Sequence, residues 1–372
     1  MKRVRIYSPG SYDKLIIEKN LPIPKPGKGE VLVRTHAVGV NYADICVRMG
    51  LYSSAKKYVG WPITPGFEFS GTVLEIGPED DDTQSTIENK SENNNNNKMD
   101  ILKKRGIEVG TQVFGVSRFD AYSTHVVVPK HQLLLLPKSL SMEEAAAMPA
   151  VFFTAYYAMF ELGHPRPGYN ILVHSAAGGV GGALVQLGKV AGANVVGVVG
   201  SSHKVAAVRQ LGADHIIDKS TQKLWSECER ICPDGFDLVF DANGVETMKQ
   251  SYSHLTTGGG KLIIYGFHSM LPKQGGSPNW FKLAWDWLWT PTFNPLQMTS
   301  DNKSVLAFNL SYLFHKVDLF TEMMDRLVQL FEEGKLKSSK ITTYTLDEVA
   351  EAHKAIESGK TIGKLILLTS DE

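Results

Sequence analysis

The stretch Ile171-Leu172-Val173-His174-Ser175-Ala176-Ala177-Gly178-Gly179-Val180-Gly181 decides the fold. A short apolar strand runs into a turn nearly free of side chains, and a helix is predicted from about Val180 to Ala191. In this arrangement backbone N–H groups can approach a pyrophosphate, which then rests on the positive end of the helix. The pattern departs from G-x-G-x-x-G: Ala176 holds the first position, and Gly178 and Gly181 hold the next two. Ala177, Gly178, Gly179 and Val180 are the residues expected to cradle the phosphates.

Downstream, strand and helix patterns alternate. Asn194–Val199, His215–Ile217, Phe236–Phe240 and Lys261–Tyr265 read as strands, and Ser202–Leu211 reads as a helix. Such alternation predicts a doubly wound parallel sheet with helices on both faces, an α/β fold. Upstream, residues 1 to about 75 read as all-β, with Val31–Thr35 and Gly71–Ile76 as strands and Pro22, Pro24, Pro26, Gly27 and Gly29 as breakers. Residues 79–105 run from acidic Glu79–Asp82 into Ser, Thr, Glu and Asn93–Asn97. That composition cannot bury enough apolar surface to offset ordering, so a surface insertion is expected. Strands resume at Thr111–Phe114 and Tyr122–Val128. Ser141 with Glu144 makes a capping box that opens a helix, a second helix is expected near Phe153–Leu162, and the chain ends on a strand at Gly363–Leu368.

Length and composition set outer bounds. At about 150 residues per domain, 372 residues suggest two domains. Lys plus Arg equals Asp plus Glu at 39 each, so the chain has no electrostatic footprint for nucleic acid or an anionic membrane. Three cysteines are too few for a disulfide scaffold and suit a reducing compartment. The longest apolar stretch, residues 145–160, contains Pro149 and Thr154 and is too short to span a bilayer. Met1–Tyr7 reads as a strand rather than a signal peptide. A cytoplasmic protein is expected.

An absence bears on the dinucleotide. NAD-binding folds place an acid about 20 residues after the glycines, on the ribose hydroxyls. Counting from Gly178 reaches Val198, Val199 and Gly200, followed by Ser201, Ser202 and Lys204. Two hydroxyls and an ammonium suit a 2′-phosphate, and Lys219 after the next strand adds a second positive charge. NADPH is the expected cofactor.

Several segments together resemble the medium-chain dehydrogenase/reductase superfamily: Gly39-Val40-Asn41-Tyr42-Ala43-Asp44, Pro65-Gly66-Phe67-Glu68-Phe69-Ser70-Gly71, Thr154-Ala155-Tyr156, the Gly-rich turn and Gly212-Ala213-Asp214-His215. The resemblance implies a GroES-like β domain, residues 1–145 completed by 305–372, around a Rossmann domain, residues 146–304, with the active site between them. Zinc-dependent members carry Cys where Asn41 stands, His where Phe67 stands, and a third ligand near Ala150. Amide, phenyl and methyl groups do not bind zinc, so no metal is expected. The segments resemble instead the zinc-lacking quinone oxidoreductase branch. Leu283–Pro295 and Ala307–Leu313 are similar to the subgroup of synaptic vesicle membrane protein homologues.

The resemblance places Asn41, Asp44 and Tyr52 along the active cleft, with Tyr52 as the hydrogen-bond donor to the acceptor. Asn41 and Asp44 also read as a helix-capping pair. It places Thr154 beside the nicotinamide, Asn243 near the ribose, Gly266 and Phe267 at a strand end, Phe308, Asn309 and Leu310 on a loop returning to the cofactor, and Lys364 toward the 2′-phosphate or simply at the start of the last strand. Thr154 reads equally as a helix-interior threonine bonded to its own backbone. Without a Lewis acid, an electron-poor quinone or α,β-unsaturated carbonyl is the acceptor such a cleft can reduce. A homodimer is expected from the family. Trp280, Phe281, Trp285, Trp287 and Trp289 suit a cap on a bulky acceptor, a dimer surface, a membrane contact or core packing. These tryptophans, with the resemblance to the vesicle proteins, keep a non-enzymatic, membrane-associated or scaffolding role open. The eleven histidines show no metal spacing, and His174 reads as a strand residue.

Overall fold

A computed structural model describes residues 1–78, 101–272 and 276–369. The first half is a β structure built on one long strand. β1 (Arg3–Arg5) and β2 (Ile16–Glu18) form a small antiparallel pair, and β3 (Glu30–Val40) is the spine. It pairs antiparallel with β4 (Glu68–Ile76), which pairs with β5 (Gln112–Val116). β6 (His125–Pro129) pairs with β3, and β7 (Leu133–Leu135) with β5. Register shifts between Leu32 and Val33 and between Thr35 and Ala37 bend the spine, so both its ends serve one curved sheet.

The second half is the expected α/β layer. β8 (Asn170–Val173), β9 (Asn194–Val199), β10 (His215–Asp218), β11 (Leu238–Asp241), β12 (Lys261–Ile264) and β13 (Ser304–Ala307) are all parallel, in the order β10-β9-β8-β11-β12-β13. The order reverses between β8 and β11, and sheets of this kind take ligands at such a point, at the carboxyl ends of the strands. The chain then returns to the first sheet: β14 (Ile341–Thr345) and β15 (Lys364–Leu368) add to the edge of β3.

Three expectations need correction. Residues 1–75 are not all-β: helices Tyr42–Arg48 and Ser53–Tyr58 interrupt them. The domain boundary at 304/305 cuts β13, which belongs to the parallel sheet through its register with β12. The helix Val317–Glu332 belongs there too, since Phe320 stacks on Phe153 at 4.4 Å and Phe331 meets Phe152 edge-on at 4.9 Å. The parallel-sheet unit therefore reaches to about residue 332. Most of the 79–105 insertion lies outside the described residues, but its end does not behave as insertion. Ile101–Lys104 is a helical turn, Leu102 is buried, and Arg105 donates to Leu133 O at 2.6 Å and pairs with Asp325 at 2.8 Å. The capping box of Ser141 and Glu144 forms as read, and Cys228 and Cys232 are buried packing thiols behind the parallel sheet.

Candidate active site

Sequence dictates the cradle through space. Gly178 caps the helix Gly179–Val190 with no side-chain cap, so the first-turn N–H groups stay available to an anion. A Cβ on Gly181 would lie 2.2 Å from Ser175 O, so the turn closes only with glycine there. The cradle is also tied to the other domain. Gly363 N–H donates to Ala177 O at 2.9 Å, and Gly178 and Gly363 form a parallel bridge. Gly179 faces Val151 and the aliphatic stem of Lys364, and Val180 packs on the core.

At the adenosine end, Ser201, Ser202, Lys204 and Lys219 come together at the carboxyl ends of β9 and β10. The Lys219 stem passes 3.7 Å from where Gly200 would carry a Cβ. Lys204 Nζ donates to Gly359 O at 2.5 Å, and burial first, then the Lys219 charge, lowers its pKa. The sequence reading missed Asp218. Counting along the chain found no acid, but the parallel register sets Asp218 opposite Val199, where its carboxylate accepts the Ser202 hydroxyl at 2.5 Å. Ser220 holds the other oxygen, and the Ser202 bond first, then Ser220, keeps the pKa below the usual range. Two ammonium groups and one carboxylate therefore share this corner.

Between the domains lies a buried polar knot. The Asn41 and Asp44 pair does cap the helix Tyr42–Arg48, with Asp44 Oδ2 accepting Asn41 N–H at 2.8 Å. Asp44 Oδ1 accepts Gly66 N–H at 2.8 Å, and burial pushes its pKa up to about 7 against those bonds. Asn41 donates to Glu68 Oε1 at 2.7 Å, and Glu68 Oε2 accepts Ala150 N–H at 2.8 Å. Lys364 completes the knot and opens the last strand, the second of the two readings given for it. Its ammonium bonds Val40 O at 2.9 Å, Asn41 Oδ1 at 2.5 Å and Glu68 Oε1 at 2.6 Å. A lysine has three N–H donors, and all three are engaged within the knot. Glu68, which the reading passed over as part of a motif, is the centre of the knot.

Tyr52 stands at the start of the helix Ser53–Tyr58, packed edge-on to Phe67 at 5.6 Å and Phe119 at 6.4 Å. Its hydroxyl donates to Asn309 Oδ1 at 3.0 Å, which joins a cleft residue to the loop expected at the cofactor. Burial, the leading cause, pushes the phenol up to about 12, so it stays a donor at neutral pH. Asn309 is fixed in turn by Ser311 N–H and Oγ, and Ser311 by Ser54 at 2.8 Å. Phe308 packs on Tyr157 at 4.9 Å, and Leu310 packs on the core. Thr154 donates to Ala150 O at 2.7 Å, as the helix-interior reading has it. Asn243 Oδ1 accepts the Ser175 hydroxyl at 3.0 Å, which links the turns that follow β8 and β11. Gly266 lies against Ala242, and exposed Phe267 covers Gly244. Behind that loop, Asp241 accepts Asn243 and Gly244 N–H, Thr247 and Ser251, while His174 contacts Ser251 at 3.0 Å. His174 is a buried support of this loop rather than a group facing the cleft.

The positions a zinc ion would use do not fit one. Phe67 and Ala150 are apolar, and the Asn41 amide is committed to Glu68 and Lys364. Among the described residues no group of three His, Cys, Asp or Glu is placed to hold a metal ion. The tryptophan segment also differs from its simplest reading. The helix Trp280–Leu288 buries nothing, and Phe281 is 91% exposed, so core packing is ruled out.

Comparison with known proteins agrees with this architecture. A family described as "Alcohol dehydrogenase GroES-like domain" matches residues 27–138, and one described as "Zinc-binding dehydrogenase" matches residues 211–367. The "Synaptic vesicle membrane protein VAT-1 homolog" of Danio rerio is 34% identical over 97% of this chain and 68% of its own length. The crystal structure of the human VAT-1 homolog-like protein superposes with a TM-score of 0.77 at 27% identity, covering 100% of this chain and 99% of that one. Escherichia coli quinone oxidoreductase, solved in complex with NADPH, superposes with a TM-score of 0.78 at 24% identity, covering 99% and 100%.

Proposed function

This chain belongs to the medium-chain dehydrogenase/reductase superfamily, among the VAT-1 homologues and quinone oxidoreductases, and on that footing we propose that it reduces quinones or α,β-unsaturated carbonyls with NADPH and without a metal ion. The observation that carries the reading is Tyr52: a neutral phenol between Phe67 and Phe119, hydrogen-bonded to the loop at Asn309. Bound NADPH supplies a hydride. The Gly178–Gly181 turn would hold the pyrophosphate on backbone N–H groups, and Ser201, Lys204 and Lys219, with Ser202 once its hydroxyl leaves Asp218, would hold the 2′-phosphate. Phe67 and Phe119 are buried against the Tyr52 ring, where they exclude water and fix its position. Tyr52 turns its hydroxyl from Asn309 to the acceptor oxygen, where negative charge develops, and water or Tyr52 delivers the final proton. Conjugation spreads that charge, so one or two hydrogen bonds suffice where an unconjugated carbonyl needs a metal. The small-molecule acceptor, the homodimer and the cytoplasmic location belong to the same proposal.

Tyr52→Phe removes one donor and keeps the ring packing. It should lower kcat/KM for an enone by about 100-fold in a steady-state NADPH oxidation assay, the size of one lost oxyanion donor. An unchanged value removes Tyr52 from the mechanism.

One observation favours a second reading, a membrane-associated protein that keeps the fold without the reaction. Trp280, Phe281, Trp285, Trp287, Leu288 and Trp289 are each more than 60% exposed. Rings of this kind seat well at a lipid–water interface. No helix among the described residues is long and apolar enough to cross a membrane, so contact would be lateral. That reading predicts flotation with liposomes that Phe281→Glu abolishes, together with no NADPH oxidation on any quinone or enone.

A further inference from the structure

Beyond Tyr52 the cleft wall changes character. One and a half turns along the same helix, about 8 Å at 1.5 Å per residue, stand Lys57 and Tyr58. Across from them, on the segment that follows Asn309, stand Tyr312 and Phe314. Arg118 precedes Phe119, the ring that packs on Tyr52. These five side chains meet. The Arg118 guanidinium lies 4.3 Å from the Tyr58 ring centroid and 5.5 Å from that of Phe314, and Lys57 Nζ lies 5.3 Å from Tyr58 and 5.1 Å from Tyr312. Tyr58 and Tyr312 are 5.8 Å apart.

Two cations thus stand against one tyrosine, and among the described residues no acid pairs with either. Among the described residues neither makes an ion pair or a hydrogen bond, and Arg118 Nε is sealed from solvent without an acceptor. A guanidinium carries five N–H donors in a planar fork, and ring faces offer it no hydrogen-bond acceptor. The nearest acid in sequence, Asp120, faces Arg5 and Arg3 instead. A half-buried fork that shares the Tyr58 ring with an ammonium, against a wall of aromatic side chains, carries the donors that a carboxylate takes.

We propose that Arg118 and Lys57 form an anion subsite at the mouth of the cleft, and that the acceptor is a conjugated carbonyl or quinone bearing a carboxylate about one aromatic ring away from the reacting centre. This rests on the reductase reading for the identity of the inner site, but the subsite is tested separately by equilibrium binding. The carboxylate takes two N–H bonds from Arg118 and the charge of Lys57, while the ring slots between Tyr52 and the Tyr58–Tyr312 pair.

The probes are 4-(3-oxobutyl)benzoate and its methyl ester, saturated ketones that cannot accept a hydride at the double bond they lack. Titrated calorimetrically into the full chain with NADPH present, the acid should bind about tenfold more tightly than the ester, the size of a charge-assisted pair. Arg118→Met and Lys57→Met should each weaken the acid about tenfold more than the ester, and added salt should act on the acid alone. Lys57 is exposed, so its variant keeps the test open if Arg118→Met fails to fold. Equal binding of acid and ester, equal loss of both in the variants, or no binding of either overturns the subsite. The unsaturated pair, 4-(3-oxobut-1-enyl)benzoate and its ester, is assayed alongside for turnover. An ester reduced as well as the acid, with no binding preference, ends the subsite and leaves the reductase. A binding preference for the acid with no turnover of either ends the reductase and leaves the subsite.

Discussion

At the residue scale, the corner around Asp218 makes a sharp prediction. Its carboxylate opposes a 2′-phosphate while Lys204 and Lys219 attract it. Lys219→Ala should lower the ratio of NADPH to NADH affinity by about tenfold in a binding titration, and Asp218→Asn should raise it by a similar factor. If both variants leave the ratio unmoved, the corner does not contact the 2′ position. The same residues show what a linear reading can and cannot see. Ser201, Ser202 and Lys204 were legible because they follow the glycines at a spacing the fold sets. Asp218 was not, because it arrives from the next strand, and only the parallel register of β9 and β10 makes it a neighbour. Asn41 and Asp44 were legible as a capping pair. Glu68 looked like part of a motif, because nothing in the chain says that Lys364, almost three hundred residues later, will pair with it.

At the scale of elements, boundaries and local signals divide in the same way. The capping box at Ser141 and the helix after the Gly-rich turn obey short-range rules, and both form where the residues said. β13 was misassigned because Ser304–Ala307 is a short, partly exposed edge strand, whose membership is decided by pairing with β12 rather than by its own composition. The helix Trp280–Leu288 is the reverse case. Core packing was one of four readings open for its tryptophans, but the helix lies on the surface of the parallel-sheet unit with no layer above it among the described residues. The turn itself can be tested. Gly181→Ala sets a methyl group against Ser175 O, and backbone cannot move aside there as a side-chain tip would. The variant should bind NADPH at least tenfold more weakly by fluorescence titration and should melt several degrees lower, by about 2 kcal/mol. Wild-type binding would show that the cradle tolerates a side chain.

At the scale of the molecule, the two halves are not beads on a string. The last strand, β15, belongs to the first sheet, yet the residue before it is bridged to the dinucleotide turn, and Glu68, knotted with Asn41 and Lys364, accepts Ala150 N–H from the other half. A second buried pair, Arg48 with Glu357 at 2.6 Å, ties the helix Tyr42–Arg48 to the helix before β15. Removing one member of such a pair strands a charge out of water. Lys364→Met should therefore lower the unfolding free energy by about 3–5 kcal/mol. Because the knot joins both halves, that loss should appear as a downward shift of one cooperative transition in denaturant, not as a new early step. A separate early transition would mean that the halves unfold independently.

The bridge between Gly178 and Gly363 has a mechanical consequence. Gly363 N–H donates to Ala177 O at 2.9 Å, and a Cβ on Gly363 would lie 2.1 Å from Lys340 O, so the residue that makes this crossing is held tight against its own sheet. Any rocking of one half on the other must pivot near this point, and the displacement grows with distance from it. The far lip carries the Tyr52–Asn309 and Ser54–Ser311 contacts, hydrogen bonds that water can replace at small cost. Traffic of acceptor and product is expected through that lip, while the dinucleotide stays anchored at the fulcrum.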